Sequence, residues 1–265
     1  LLCVSLAVTP AFKMKFWNLG ADGQVLMSAL VTAGLMYKLG PKMDSAIVNI
    51  LMIVCSIATG IIWAVIPALF KAKWKTNETL FTLMMNYIAT GITAYMISIW
   101  ATNGSATMGT IKYAWLPEFV DRSFLTIVIV AVLTVLMFVY LKFSKHGYEL
   151  SVVGESENTA RYVGINVKKV VIRTLVLSGA ICGIMGLLLA GSINHTISKT
   201  LVDSRGFTAV LVTWLADFNP FYMVFTAFLI SFLKSGSSNV VTDFALNNSA
   251  NASIITGIVI FCAGS

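Results

Sequence analysis

The run 47-IVNILMIVCSIATGIIWAVIPALF-70 holds 24 residues without one Asp, Glu, Lys or Arg. Crossing the roughly 30 Å hydrocarbon layer of a bilayer takes about 20 residues of α-helix, so this stretch is long enough to span. Runs of the same kind recur along the chain. Leu1–Phe12 and Val25–Tyr37 precede it; Leu80–Trp100, Phe124–Leu141 and Val170–Ala190 follow it, each long enough to cross. Phe207–Phe218 is too short to cross, and Phe221–Leu233 and Ile254–Ala263 come after. The composition agrees: 58% of residues are hydrophobic and 11% charged, against roughly 25% charged in a soluble domain, and the mean hydropathy is +0.87. A soluble fold could not hide so much apolar surface. The runs do not alternate apolar with polar residues, which argues against a transmembrane β-barrel. The expected fold is all-α: one polytopic helical membrane domain over residues 1–265, with lipid as the apolar phase.

Charge sets the orientation. The loop FKAKWKTNET, Phe70–Thr79, carries Lys71, Lys73 and Lys75 against Glu78. The stretch Lys142–Arg173 carries Lys142, Lys145, Arg161, Lys168, Lys169 and Arg173. Between them the Thr102–Arg122 loop balances Lys112 and Arg122 against Glu118 and Asp121. Basic loops stay in the cytoplasm, so the first two are read as inside and the third as outside; the two spans between them satisfy the parity. Gly191–Arg205 is then an external loop. The net charge of +7 therefore reports topology and gives no reason to expect nucleic acid as a partner. Cys3, Cys55, Cys182 and Cys262 lie in apolar runs, and His146 and His195 are the only histidines; no metal-ligand spacing results. The chain opens and closes at apolar runs, so it is read as most of a larger protein.

Polar residues inside this apolar background mark four places. FWNLGADGQ, Phe16–Gln24, sets Asn18, Asp22 and Gln24 beside Gly20 and Gly23. Glycines permit a break and Asn or Asp suit helix starts, so a polar, broken element begins the next helix; it faces a translocation path or makes an ordinary surface turn. KTNETLFTLMMNYIA, Lys75–Ala89, offers Thr76 or Asn77 as cap and buries Asn86 and Tyr87 in a span. Polar groups at that depth face the bundle interior, where they contact solute or bond a neighbouring helix. RGFTAVLVTWLADFNP, Arg205–Pro220, is a short apolar helix that turns before Pro220. It is a wall of a transport path or a surface helix packed on the bundle. GESENTARYVGINVKK, Gly154–Lys169, is the wet exception. It reads as a short amphipathic helix capped by Ser156 with Thr159 at N3, ended by Gly164 in a left-handed conformation. Ala160, Tyr162 and Val163 supply its apolar contacts, while Asn158 and Arg161 face water; it docks into a soluble partner or is a solvated connector. A further pattern, GAICGIMG at Gly179–Gly186, puts small residues on one helix face and predicts close helix packing.

The four polar motifs, in this order, resemble the membrane permease subunits of bacterial ABC importers of the simple-sugar and branched-chain amino-acid type. The nucleoside-type branch, which works with a basic-membrane-protein lipoprotein, is the nearest in appearance, and the resemblance covers nearly the whole chain. It implies about ten helices with both termini cytoplasmic, the chain beginning within the second and ending within the last. It implies import of a small polar solute, a nucleoside or simple sugar, across a bacterial cell membrane. Carried over, Glu155, Ser156, Glu157, Asn158, Thr159, Ala160, Arg161, Tyr162 and Gly164 form the coupling helix, within a cytoplasmic loop of about 143–169. Asn18, Gly20, Asp22 and Gln24 correspond to the polar break near the path. Asn86, Tyr87, Phe207, Trp214 and Asn219 are further path candidates, with aromatics at Phe16, Trp17, Tyr87, Phe207 and Trp214 able to stack on a base or sugar face. The chain departs from the pattern at Trp214 and Asp217, where small residues are usual, and Asp22 stands for a more common glutamate.

No GxxxxGK[ST] phosphate loop occurs. The chain is thus expected to carry no catalytic residue and no cofactor, with ATP held by a partner ATPase subunit. A second permease and a solute-binding lipoprotein complete the expected assembly. Two rival readings stay open: an ion-coupled secondary transporter, which would pair intramembrane acids across an internal repeat, and a membrane assembly protein without transport.

Overall fold

The computed structural model describes residues 1–101, 107–116, 122–243 and 257. Ten α-helices occur among the described residues: α1 Leu2–Lys13, α2 Ala21–Leu39, α3 Ser45–Trp74, α4 Glu78–Trp100, α5 Arg122–Phe143, α6 Lys145–Glu155, α7 Glu157–Tyr162, α8 Val167–Leu188, α9 Arg205–Leu215 and α10 Pro220–Asp243. A π-helical turn, Leu189–Asn194, extends α8. Among the described residues four helices are long and apolar enough to cross a bilayer: Ser45–Trp74, Glu78–Trp100, Phe124–Phe143 and Val167–Asn194. The Ile254–Ala263 run, save for residue 257, and most of the Thr102–Arg122 loop, including Glu118 and Asp121, lie outside the described residues.

α8 is the axis of the bundle. Of its most apolar window 72% is buried, against 17% in α5, whose surface is left for lipid. The small-residue face explains how α8 gets so far inside. A methyl added to Gly183 would lie 2.7 Å from the Ile57 Cα of α3, and one added to Gly186 would lie 2.6 Å from the Ser28 Cβ of α2. Gly60 of α3 meets Gly179 and Gly183 in the same backbone-to-backbone approach. Without a hydrophobic drive between helices in lipid, such van der Waals contact is what associates them.

Sequence signals at the helix ends operate as physical chemistry requires. Asn77 accepts the N–H groups of Thr79 and Leu80 at 3.0 and 3.2 Å, starting α4. Lys71 and Glu78 pair at 2.6 Å and join the end of α3 to that start. Ser156 accepts the Thr159 N–H at 3.3 Å and starts α7. Gly164 closes it at φ +86°, the left-handed region where glycine carries no Cβ penalty; the Ile165 N–H then reaches back to the Ala160 carbonyl at 2.8 Å. The two basic stretches lie at one end of the bundle, where Lys71 and Lys75 share a groove with Arg161 and Lys168. Residues 107–116 lie at the other, bonded through Ile111 N–H to the His195 carbonyl at 2.8 Å.

The structure adds detail to three sequence expectations. Gly191–Arg205, expected as an external loop, is packed on the bundle and not free: His195, Ile197, Leu201 and Val202 are buried in the segment ahead of α9. Lys145–Glu155, within the expected cytoplasmic loop of about 143–169, is helix α6; its Leu150 and Val153 are buried, and Gly154 abuts the Lys13 carbonyl at the end of α1. Tyr162 and Val163 do not pack on the bundle: Tyr162 is 93% exposed, and Ala160 alone of the three is buried.

Candidate functional site

The chain breaks between α1 and α2, and that break sets up the site. Backbone groups freed inside a membrane must find partners within the protein. Here the partners come from α4. Asn86 donates its amide N–H to the Leu19 carbonyl and accepts the Gly23 N–H, both at 2.8 Å. Thr82 accepts the Leu19 N–H at 3.2 Å. Asn18, fully buried, folds back to accept the Gly20 N–H at 3.1 Å and lies 3.4 Å from the Gln24 amide nitrogen. Asn86 thus bonds the neighbouring element with both ends of its amide.

A second tie crosses the chain. The Asp22 carboxylate, in the first turn of α2, accepts the Gly206 N–H at 2.6 Å. Gly206 is in the first turn of α9, so Asp22 satisfies one of the amide groups left without a partner at a helix start and places negative charge where the helix dipole favours it. Nothing larger than glycine fits there unchanged, since an added Cβ would lie 2.8 Å from the Asp22 Cγ. α9 is bracketed by left-handed residue pairs, Asp203–Ser204 before it and Asp217–Phe218 after it. Lys234 of α10 holds Asp203 at 2.7 Å.

These ties border a cavity of about 360 Å³ that is open on one side. Asp22, Gly23 and Leu26 of α2 line one side; Leu83, Asn86, Tyr87 and Thr90 of α4 line another. Lys199, Thr200, Val202, Asp203, Ser204 and Phe207 close the third. The lining therefore offers carboxylates, an ammonium, hydroxyls and two aromatic faces at a wall made of broken helices. Asp22, Asn86, Tyr87 and Phe207, from three separate motifs, are brought together.

The other path candidates sit elsewhere. Asn18 and Gln24 are buried in the frame of the break, and Gly20 packs 3.1 Å, at the position of a Cβ, from Thr82. Trp214 stacks on Trp17 at 5.7 Å, so the aromatic that departs from the family pattern fills space near the α1–α2 break. Asn219 accepts the Phe221 N–H at 3.1 Å and starts α10. The residues 199–204 were missed because their near-neutral charge reads as an aqueous loop. Their closeness to the RGF motif was the available signal. The proposed coupling residues Glu155–Gly164 form the end of α6, Ser156, α7 and its closing turn; Glu157 and Arg161 pair at 3.3 Å on their outer face. No group of three or more His, Cys, Asp or Glu able to hold a metal occurs among the described residues.

A bundle of spans with broken helices around a polar cavity is the architecture of a membrane transporter. The chain belongs to the family described as branched-chain amino acid transport system / permease component, whose model matches residues 1–264. It is similar to the guanosine ABC transporter permease protein NupP of Bacillus subtilis, with 29% identity over 98% of this chain and 77% of that protein. The nucleoside ABC transporter permease protein NupB of Lactococcus lactis shares 24% over 92% of this chain and 71% of its own length. The glucose ABC transporter permease protein TsgB13 of Haloferax volcanii shares 24% over 98% and 72%. No solved structure matches. The chain is the permease subunit of an ABC importer, a multi-pass protein of the plasma membrane.

Proposed function

We propose that this permease imports a nucleoside, with a simple sugar as the next choice, through the cavity between α2, α4 and the 199–207 segment. The observation that carries the reading is the meeting of Asp22, Asn86, Tyr87 and Phe207 at one cavity. Its volume of about 360 Å³ falls within the range of small-molecule pockets. Tyr87 and Phe207 supply faces for a base or sugar ring. Asp22, Asp203, Lys199, Thr200 and Ser204 supply acceptors and donors for hydroxyls and ring nitrogens. The names of the relatives, guanosine, nucleoside and glucose permeases, support the same solute classes.

The chain supplies path and lever. Two conformations of the bundle, open to either side, exchange as ATP binds a partner ATPase subunit. That subunit grips α7, Glu157–Tyr162, with the flanking Glu155, Ser156 and Gly164. The exposed Tyr162 and the Arg161–Glu157 pair suit a docking cleft. A conformational bias of this kind needs only differential binding of the two states. A second permease faces the open side of the cavity, where Tyr87 is 79% exposed. A solute-binding lipoprotein delivers solute from outside.

The test is reconstitution of the permease with its ATPase and lipoprotein in vesicles, measuring ATPase activity against nucleosides, sugars and riboflavin. Nucleoside-dependent stimulation and ATP-dependent uptake are expected. Uptake driven by a proton or sodium gradient with no ATPase present would replace this reading with secondary transport. Stable ATPase pairing with no solute flux would replace it with an assembly role.

A further inference from the structure

A second and larger hollow lies at the cytoplasmic end. It encloses about 850 Å³ and is lined by Lys71, Ala72 and Lys75 at the end of α3, Glu157, Arg161 and Gly164 around α7, and Ile165, Asn166, Val167, Lys168 and Val171 at the start of α8. We propose that this groove binds the headgroup of an anionic phospholipid from the inner leaflet. Four observations lead there.

The lining carries Lys71, Lys75, Arg161 and Lys168; Lys71 pairs with Glu78 and Arg161 with Glu157, so Lys75 and Lys168 supply the excess positive charge that suits a phosphate diester. Its remaining wall is apolar, from Ala72, Ile165, Val167 and Val171, which suits the glycerol and the first methylenes. The height is right. Phe70, Trp74 and Phe81 form an aromatic cluster with ring centroids 4.7–4.8 Å apart, and Trp74 stays exposed under the Lys73 ammonium at 4.5 Å. Exposed aromatics with lysines at a span end mark the membrane–water interface. Basic pockets between spans at that level are suited to lipid headgroups. Finally, Tyr162, the most outward residue of α7, is not part of the lining. The groove and the tip offered to an ATPase are different faces of one short helix. Glu157, Arg161 and Gly164 belong to both, and a bound phosphate competes with Glu157 for the Arg161 guanidinium. Lipid charge thereby reaches the lever.

The experiment uses the permease with its ATPase subunit in nanodiscs, and reads quenching of Trp74 by lipids brominated on the acyl chain near the headgroup. The Trp74 signal is the difference between the natural chain and Trp74→Phe. Brominated phosphatidylglycerol is expected to quench it more than brominated phosphatidylcholine at equal fractions. The paired change Lys75→Gln with Lys168→Gln lowers that preference by up to about thirty-fold at low salt, and Lys75→Arg with Lys168→Arg keeps it. Equal quenching by the two lipids overturns the proposal, as does a preference that survives the glutamine pair. Loss of the preference on adding inorganic phosphate assigns the groove to a free anion instead. Loss of ATPase co-purification by the glutamine pair in phosphatidylcholine alone assigns it to the protein interface. Should the pair not fold, salt decides on the natural chain: screening at about 1 M must abolish the preference, and persistence refutes it.

Discussion

Breaking the bond between Asp22 and Gly206 should loosen α9 and weaken solute-dependent activity. The bond is short, 2.6 Å, joins residues 184 positions apart and has a charged acceptor. Hydrogen bonds to charged groups contribute about 1.5–3 kcal/mol, neutral ones about 0.5–1.5. Asp22→Asn keeps an acceptor and loses the charge, so it should cost about 1–1.5 kcal/mol, or roughly tenfold. Asp22→Ala strands the Gly206 N–H, at about 1–3 kcal/mol, or up to roughly 150-fold. The assay is the solute concentration for half-maximal stimulation of the reconstituted ATPase. Asp22 also lines the cavity, so its variants alone do not separate tethering from solute contact. Gly206→Ala does: its methyl would lie 2.8 Å from the Asp22 Cγ and forces the pair apart while sparing the carboxylate. If the tether matters, Gly206→Ala shifts the half-maximal concentration in the same direction as Asp22→Asn. A natural-like response from Gly206→Ala and from Asp22→Asn refutes the tether.

Further outcomes follow from the same structure. Gly164→Pro, at a φ of +86° that the proline ring cannot reach, and Arg161→Glu, which sets two carboxylates together, should uncouple ATP hydrolysis from uptake while membrane insertion persists; normal uptake in both variants counts against the lever. Asn86→Ala strands the Gly23 N–H and the Leu19 carbonyl, at about 1–3 kcal/mol each, and should speed unfolding in detergent as followed by loss of helical circular dichroism. Gly183→Ala overpacks α8 against Ile57 for about 1–3 kcal/mol and lowers the melting temperature, whereas Gly91→Ala, inside α4 with nothing within 4 Å of the new methyl, holds or raises it, because alanine favours the helix over glycine.

The residues Ile47–Phe70 by themselves determined that this chain crosses a membrane, because transfer of apolar side chains into lipid needs no partner from elsewhere in the sequence. Local hydrogen bonding determined the caps at Asn77 and Ser156 and the left-handed close at Gly164, each a matter of a few adjacent residues. Small residues at Gly179 and Gly183 announced a close helix contact, though not that α3 would make it. Only the tertiary structure decided the site. Asp22 and Gly206 are far apart along the chain, and nothing local to either says that a carboxylate in one would hold the amide of the other. The same holds for residues 199–204: their polarity fits water equally well outside the bundle or in a cavity within it. Charge and hydropathy record what each residue prefers to touch, and the folded backbone decides which neighbours satisfy that preference.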